Sequence, residues 1–129
     1  MAKELVLADT SILIDFFRKS DKTNSRLIKL VREDLRYCIS AITEFEIYTG
    51  TTPEQVPYWE DFLFRTQVLA FDKETARTAV DISMALKKQN KLIGMADIFI
   101  AATALQYALP LATLNTRHFE RIEELQILL

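Results

Sequence analysis

Three carboxylates and one amide of this chain are candidates for a functional site. Each lies in apolar sequence, where a polar side chain is costly, or close to a predicted strand. Asp9 follows the apolar run VLA, Glu44 lies early in a predicted helix, Asp97 lies inside the string MADIFIAATAL, and Asn115 follows LATL. A carboxylate in apolar sequence is costly unless it is paired or binds a cation. Such side chains near the ends of elements predict one shared site for a divalent cation, with Mg²⁺ favouring these oxygen ligands. Metal-dependent hydrolysis of a phosphodiester needs this arrangement.

Each candidate also has a structural alternative. Asp9 could serve only as the N-cap of the following helix, although Thr10 and Ser11 are capping residues too. Asp97 could likewise have only a capping role, but a core aspartate without a partner is rare. Asn115 could be a turn residue, which is common after a strand. As a site residue, Asn115 would bring a neutral oxygen to a metal-bound water or hold a neighbouring carboxylate.

Glu44 and Glu46 compete for one place at the site. They are two positions apart, about 200° around a helix, so only one can face the edge of the sheet. We assign Glu44 to the site because it lies closer to the preceding strand, and we expect Glu46 to be in water. In the alternative, both are solvated acids near the start of their helix.

Other common chemistries lack their residues in this chain. His118 is the only histidine, which excludes histidine-rich metal sites; beside Phe119, packing and a fixed hydrogen bond are favoured over a role as a base. No serine lies in a nucleophile motif. Gly50 and Gly94 are the only glycines, so P-loop and dinucleotide-binding loops are absent.

Strands and helices are predicted to alternate along the chain. Short apolar runs predict strands at 5–8, 36–39, 67–71, 111–113 and 125–129. Helices are predicted at 11–17, 21–34, 41–50, 53–64, 73–90 and 95–109. In the helix 73–90, Ala76, Val80 and Met84 are predicted to form the apolar face. This order predicts an α/β fold with a mostly parallel sheet between helices. Ligands collect at the carboxyl ends of such strands, which is where Asp9, Glu44 and Asn115 fall.

Length and composition predict a single domain, 1–129, with a sizeable core. No apolar run is long enough for a membrane span, the first residues do not resemble a signal peptide, and the one cysteine, Cys38, fits a core position in a reducing cytoplasm. The net charge of −2 argues against bulk electrostatic binding of nucleic acid, but bound cations would reverse the charge locally. Two groups of basic residues are favoured as phosphate contacts because they lie close in sequence to the candidate residues. These are Arg18, Lys19 and Lys22, and Arg117 and Arg121.

The motifs together resemble a known family. The DTS of residues 9–11 and the early-helix Glu44 are similar to its first half; the D-x-x-I-A-A run of 97–102 and the T-x-N-x-x-H-F run of 113–119 are similar to its second. Over essentially the whole chain, the order of these motifs resembles a PIN domain, in particular the VapC-like ribonuclease toxins of prokaryotic type II toxin–antitoxin systems.

The resemblance implies a three-layer α/β/α sandwich with a four- or five-stranded, mostly parallel sheet. It implies Mg²⁺- or Mn²⁺-dependent cleavage of RNA, a homodimer, and a small antitoxin inserted at the acidic groove. The family's acids correspond to Asp9, Glu44 and Asp97, and Ser11 and Thr113 correspond to positions that support the site by hydrogen bonding. Asn115 replaces a frequent aspartate, which removes one charge and argues against tight binding of a second metal.

Two other classes of function stay open on the residues alone. A non-catalytic PIN-like regulatory module, acting through a partner protein, is favoured by Asn115 and disfavoured by the three acids. A phosphatase or phosphotransferase with an aspartate nucleophile would need a second acid soon after Asp9, as in a D-x-D pattern, and position 11 is serine.

Overall fold

A computed structural model of the chain describes residues 4–128, and its centre is one sheet of five parallel strands. The strands are β1 (Glu4–Ala8), β2 (Leu35–Ser40), β3 (Val68–Leu69), β4 (Leu111–Ala112) and β5 (Ile127–Leu128), in the order β3-β2-β1-β4-β5. The predicted fold class is therefore confirmed. Leu129, the last residue of the predicted fifth strand, lies outside the described residues.

Seven helices cover the two faces of this sheet in the part of the chain described. They are α1 (Thr10–Arg18), α2 (Arg26–Arg32), α3 (Ala41–Gly50), α4 (Val56–Phe64), α5 (Lys73–Lys88), α6 (Met95–Gln106) and α7 (Thr116–Phe119), with a 3-10 turn at Lys22–Asn24. None of these helices, within residues 4–128, has the length and apolar character that crossing a membrane requires.

The central strand β1 divides the core into two halves. Leu7 packs on one face with residues of α5 and α6, while Val6 and Ala8 pack on the other with residues of α1, α2 and α4. This alternation follows from the two-residue period of a strand. Cys38 is buried in β2 as predicted, and burial raises the pKa of its thiol to about 11.

The buried side of α5 differs from the predicted one. Thr75, Ala79, Ile82 and Leu86 face the core. Val80 and Met84, on the predicted apolar face, are 54% and 66% exposed. Apolar spacing correctly located the helix but not its rotation, because two stripes along α5 both carry apolar residues and only packing against α6 selects one.

Helix α6 ends earlier than predicted, at Gln106. Ala108 adopts a left-handed backbone with φ of 56°, and the N–H of Leu109 donates to the carbonyl of Ala104. This six-residue closure satisfies a carbonyl at the end of the helix and reverses the chain ahead of Pro110. The predicted boundary at residue 109 was too late because alanine gives no sequence signal for a left-handed residue.

The strand order sets which side chains meet at the carboxyl edge of the sheet. β1 lies between β2 and β4, with Leu7 paired to Cys38 on one side and to Leu111 on the other. The segments that leave the carboxyl ends of β1, β2 and β4 are therefore neighbours. Asp9, the start of α3 and Thr113 come from these segments.

Candidate metal centre

Asp9 is a buried carboxylate that also caps α1. Only 2% of the residue is exposed, and one oxygen, Oδ1, accepts hydrogen bonds from the N–H of Ile12 and the hydroxyl of Ser11. The other oxygen, Oδ2, accepts from the hydroxyl of Thr113. The N-cap of the helix is thus Asp9, and Thr10 and Ser11, the other capping candidates, do not cap it.

The donors to Asp9 are themselves fixed. The N–H of Leu114 donates to Ser11 Oγ at 3.0 Å, and the N–H of Asn115 donates to Thr113 Oγ1 at 2.9 Å. Each hydroxyl therefore accepts from the backbone and must point its own proton at Asp9. An ionised carboxylate offers about four lone-pair positions, and three donors leave about one, on Oδ2, for a further partner such as a cation.

Burial raises the pKa of Asp9 above its usual 3.8, and the charge of Asp97 raises it further, while the bonds from Ser11, Thr113 and Ile12 oppose this. The folded, metal-free chain therefore holds the Asp9 proton more tightly than the unfolded chain does. The free energy of unfolding gained from this group is present at low pH and lost as the pH rises through the raised pKa.

A pH series of thermal melts in chelator tests this interpretation. Wild type should lose melting temperature relative to Asp9→Asn as the pH rises from 3.8 through the folded-state pKa of Asp9. The asparagine side chain in this variant keeps a capping oxygen but does not titrate, so the difference between the two curves isolates Asp9. A difference that is constant with pH would contradict the raised pKa.

Asp97 lies in the first turn of α6, where the positive end of the helix dipole favours an anion. Its side chain is 24% exposed, and its Oδ2 is 3.0 Å from Nδ1 of His118. Because an ionised carboxylate only accepts, Nδ1 must carry the hydrogen. The expected fixed hydrogen bond of His118 is present, but the side chain is 50% exposed rather than packed.

Glu46, and not only Glu44, is held in the fold. Its side chain is half-buried, and Oε1 accepts from the hydroxyl of Thr10 at 2.6 Å, beside Asp9. The expectation that Glu46 lies in water is therefore wrong. Glu44 is also half-buried, but it lies on the other side of the helix, near Tyr48. Burial raises the pKa of the Tyr48 phenol, and the charges of Glu44 and Glu60 raise it further.

Asn115 takes part through its backbone. Its side chain is exposed and makes no capping bond to α7, while its N–H supports Thr113 and, through it, Asp9. No contact of the Asn115 amide with a carboxylate is recorded in residues 4–128, so the orienting role of that amide stays a prediction.

Three of the basic side chains favoured as phosphate contacts have partners within the fold. Lys22 Nζ donates to the carbonyls of Phe16 and Phe17 at 2.7 and 2.8 Å, and so completes the end of α1. Arg121 donates to the carbonyl of Leu92 at 3.1 Å and fastens the loop before α6. Lys19 forms an ion pair with Asp15 in α1.

The described residues offer a pair of acids rather than a complete cage. No group of three or more histidine, cysteine, aspartate or glutamate side chains within residues 4–128 is arranged to hold a metal ion. Mg²⁺ is commonly held by one or two carboxylates together with waters and substrate phosphates. Asp9 and Asp97, close enough for one to raise the pKa of the other, fit that requirement.

Comparison with known proteins identifies the class. The family model for the PIN domain matches residues 6–125, which includes every residue of the site described above. The chain belongs to the PIN domain family.

Within this family, the chain is similar to proteins named VapC. Ribonuclease VapC1 of Methanocaldococcus jannaschii is 38% identical over 92% of this chain and 82% of the relative. The tRNA(fMet)-specific endonuclease VapC of Shigella flexneri is 31% identical over 90% of each chain. Among solved structures, the DNA-bound VapBC of Salmonella typhimurium superposes with a TM-score of 0.85 at 26% identity, covering 98% of this chain and 97% of that one.

Proposed function

We propose that this chain is a divalent-metal-dependent endoribonuclease, Mg²⁺ or Mn²⁺ being the cation, and the toxin of a toxin–antitoxin pair. The observation that carries the proposal is the buried carboxylate of Asp9 at the carboxyl edge of the sheet, with Asp97 near enough for its charge to raise the pKa of Asp9. The names of the relatives, ribonuclease and tRNA(fMet)-specific endonuclease, supply the substrate class.

In this proposal Asp9 and Asp97 hold the cation through the oxygens that their hydrogen bonds leave open. When bound, the cation supplies Lewis-acid stabilisation of phosphate charge and an activated water. Ser11 and Thr113 fix the orientation of Asp9, because each hydroxyl donates to one of its oxygens. The backbone N–H of Asn115 holds the Thr113 hydroxyl, and its side-chain amide is proposed to orient the metal-bound water or a neighbouring carboxylate. A glutamate of α3 binds the cation or positions the water, and its contact with Thr10 favours Glu46 over the predicted Glu44.

The RNA backbone is proposed to approach from the α7 side of the site. Arg117 directly precedes His118, which contacts Asp97, and it lines one groove with Lys91 and Arg121. On the other side, α1 starts directly after its N-cap Asp9 and runs away from it for nine residues, so Arg18 lies about 13 Å along the helix. Arg117 of α7 is therefore a better placed phosphate contact than Arg18.

Partner proteins are part of the proposal. Solved VapBC complexes resemble this chain closely in fold, which supports a small antitoxin as its partner. The predicted homodimer would need apolar surface, and exposed apolar side chains lie on α5, in the loop that follows it and at the start of α6. These are Val80, Met84, Leu92 and Met95. The single cysteine fits the predicted cytoplasmic location.

Cleavage of a mixed RNA panel by the purified chain tests the proposal. We expect cutting with Mg²⁺ or Mn²⁺ and none with chelator, because the acids need a cation to act on a phosphodiester. The panel should contain transfer, ribosomal and messenger RNA, and the ends of the fragments would then define the target.

The same assay separates this proposal from the regulatory alternative. Binding of Mn²⁺ is measured in parallel by calorimetry. Cutting that persists in chelator would contradict metal dependence. A chain that neither cuts RNA nor binds Mn²⁺ would favour a non-catalytic PIN-like module.

A further inference from the structure

One short segment touches both acids of the site. Residues 113–118 leave β4 and form α7; Thr113 at one end donates to Asp9, and His118 at the other lies 3.0 Å from Asp97. Asp9 and Asp97 come from different helices, and the pKa of Asp9 is raised partly by Asp97, so the two carboxylates repel each other. The segment therefore links the two like-charged groups through one side-chain contact at each of its ends.

The segment is itself anchored in the core. Phe119, next to His118, is completely buried, and the N–H of His118 donates to the carbonyl of Asn115 at 3.1 Å. At the other end, Leu114 and Asn115 donate to the hydroxyls of Ser11 and Thr113. The exposed ring of His118 thus extends from a fixed backbone, and burial of the ring itself contributes little to its position.

We propose that His118 is a positioning residue: its Nδ1–H holds Oδ2 of Asp97 and so leaves Oδ1 free to hold a cation. The inference rests on the proposed metal-dependent function. It does not depend on the charge of the ring, because Nδ1 carries a hydrogen in both the neutral form required here and the protonated form. Carboxylates that ligate metals are commonly held by such an outer hydrogen bond, and its loss typically weakens metal affinity by about 10- to 100-fold.

Two substitutions separate the hydrogen bond from the bulk of the ring. His118→Asn retains an amide N–H near the position of Nδ1, whereas His118→Ala has no donor. We expect His118→Ala to weaken binding of Mn²⁺ to the metal-free chain about tenfold in calorimetry. His118→Asn should remain within about threefold of wild type, with the melting temperatures of all three metal-free proteins alike because the ring is half exposed.

The dependence of cleavage on Mn²⁺ concentration distinguishes a positioning role from a merely structural one. The concentration of Mn²⁺ for half-maximal cleavage should rise in His118→Ala by the same factor as the dissociation constant, while KM for RNA at saturating Mn²⁺ stays unchanged. Rescue of both quantities by asparagine would establish the Nδ1–H contact as the cause.

Three results would overturn the inference, and they can be told apart. Wild-type affinity for Mn²⁺ in His118→Ala would remove the positioning role alone. Equal weakening in His118→Asn and His118→Ala would assign the effect to the ring and not to Nδ1–H. Absence of Mn²⁺ binding in the wild type would refute the proposed function and this inference with it.

Discussion

Replacing Asp97 with asparagine is expected to lower the cleavage rate about a thousandfold while leaving the fold intact. The change keeps the shape of the side chain and its contact with His118 but removes the negative charge that attracts the cation. Metal-ion catalysis supplies several kcal/mol of charge stabilisation to the transition state, and a loss of about 4 kcal/mol corresponds to about a thousandfold in rate.

The stability of the variant should change in the opposite sense to its activity. Because the charge of Asp97 raises the pKa of buried Asp9, its removal relieves a repulsion in the metal-free protein. In chelator, Asp97→Asn should therefore melt at or above the wild-type temperature. With Mn²⁺ added, the wild type should gain melting temperature by mass action and the variant should not.

Asp81→Asn is the matched control. Asp81 is an exposed aspartate on α5, and its replacement removes one negative charge without touching the site. It should cut RNA and respond to Mn²⁺ as the wild type does. Full cleavage by Asp97→Asn would remove Asp97 from the site, and loss of cleavage in Asp81→Asn as well would show that net charge, not the site, governs the activity.

The architecture could be predicted from the sequence because its signals are strong and local. The continuous apolar run of β1 predicts a strand covered on both faces, and alternation with helices predicts a parallel sheet. β3 and β4 have only two residues each, and their ends depend on pairing with a neighbouring strand. Such boundaries are set by tertiary contacts that local periodicity does not contain.

The site could be predicted as far as topology determines it. Residues that directly follow β1 and β4, such as Asp9 and Thr113, reach one edge of the sheet whatever the details of packing. The contact between His118 and Asp97 joins residues 21 positions apart, and no spacing rule connects them. Lys22 and Arg121 donate to backbone carbonyls. Because every residue has a carbonyl, the sequence could not predict these structural roles.

The choice between Glu44 and Glu46 depends on the rotation of α3, which the sequence does not determine because apolar residues lie on both sides of this helix. In α3, Thr43 and Ile47 are buried and Ile42 packs against the core, so positions 42, 43, 46 and 47 share one face. Glu46 belongs to that face, whereas Glu44 shares its side with the more exposed Tyr48. Distance along the chain from β2 favoured Glu44, but the rotation of the helix favours Glu46.

Glu46→Gln is therefore expected to lower cleavage about a hundredfold, and Glu44→Gln to leave it within about threefold, since one correctly placed charge or general base contributes 10²–10⁴. The two variants are matched, because both neutralise a half-buried glutamate of the same helix. Initial rates at saturating Mn²⁺ measure the effect, and metal-free melts check the fold. Glutamine keeps an oxygen that can accept from Thr10, so the hydrogen bond to Glu46 can persist while the charge is lost.

The opposite result would be equally informative. Loss of cleavage in Glu44→Gln with activity retained in Glu46→Gln would mean that α3 turns or shifts when the cation and RNA bind, since the rotation described here directs Glu46 to Thr10. Loss in both would indicate that the two acids act together on the cation. Activity retained in both would leave Asp9 and Asp97 as the whole carboxylate contribution, which is within the one or two carboxylates that commonly hold Mg²⁺.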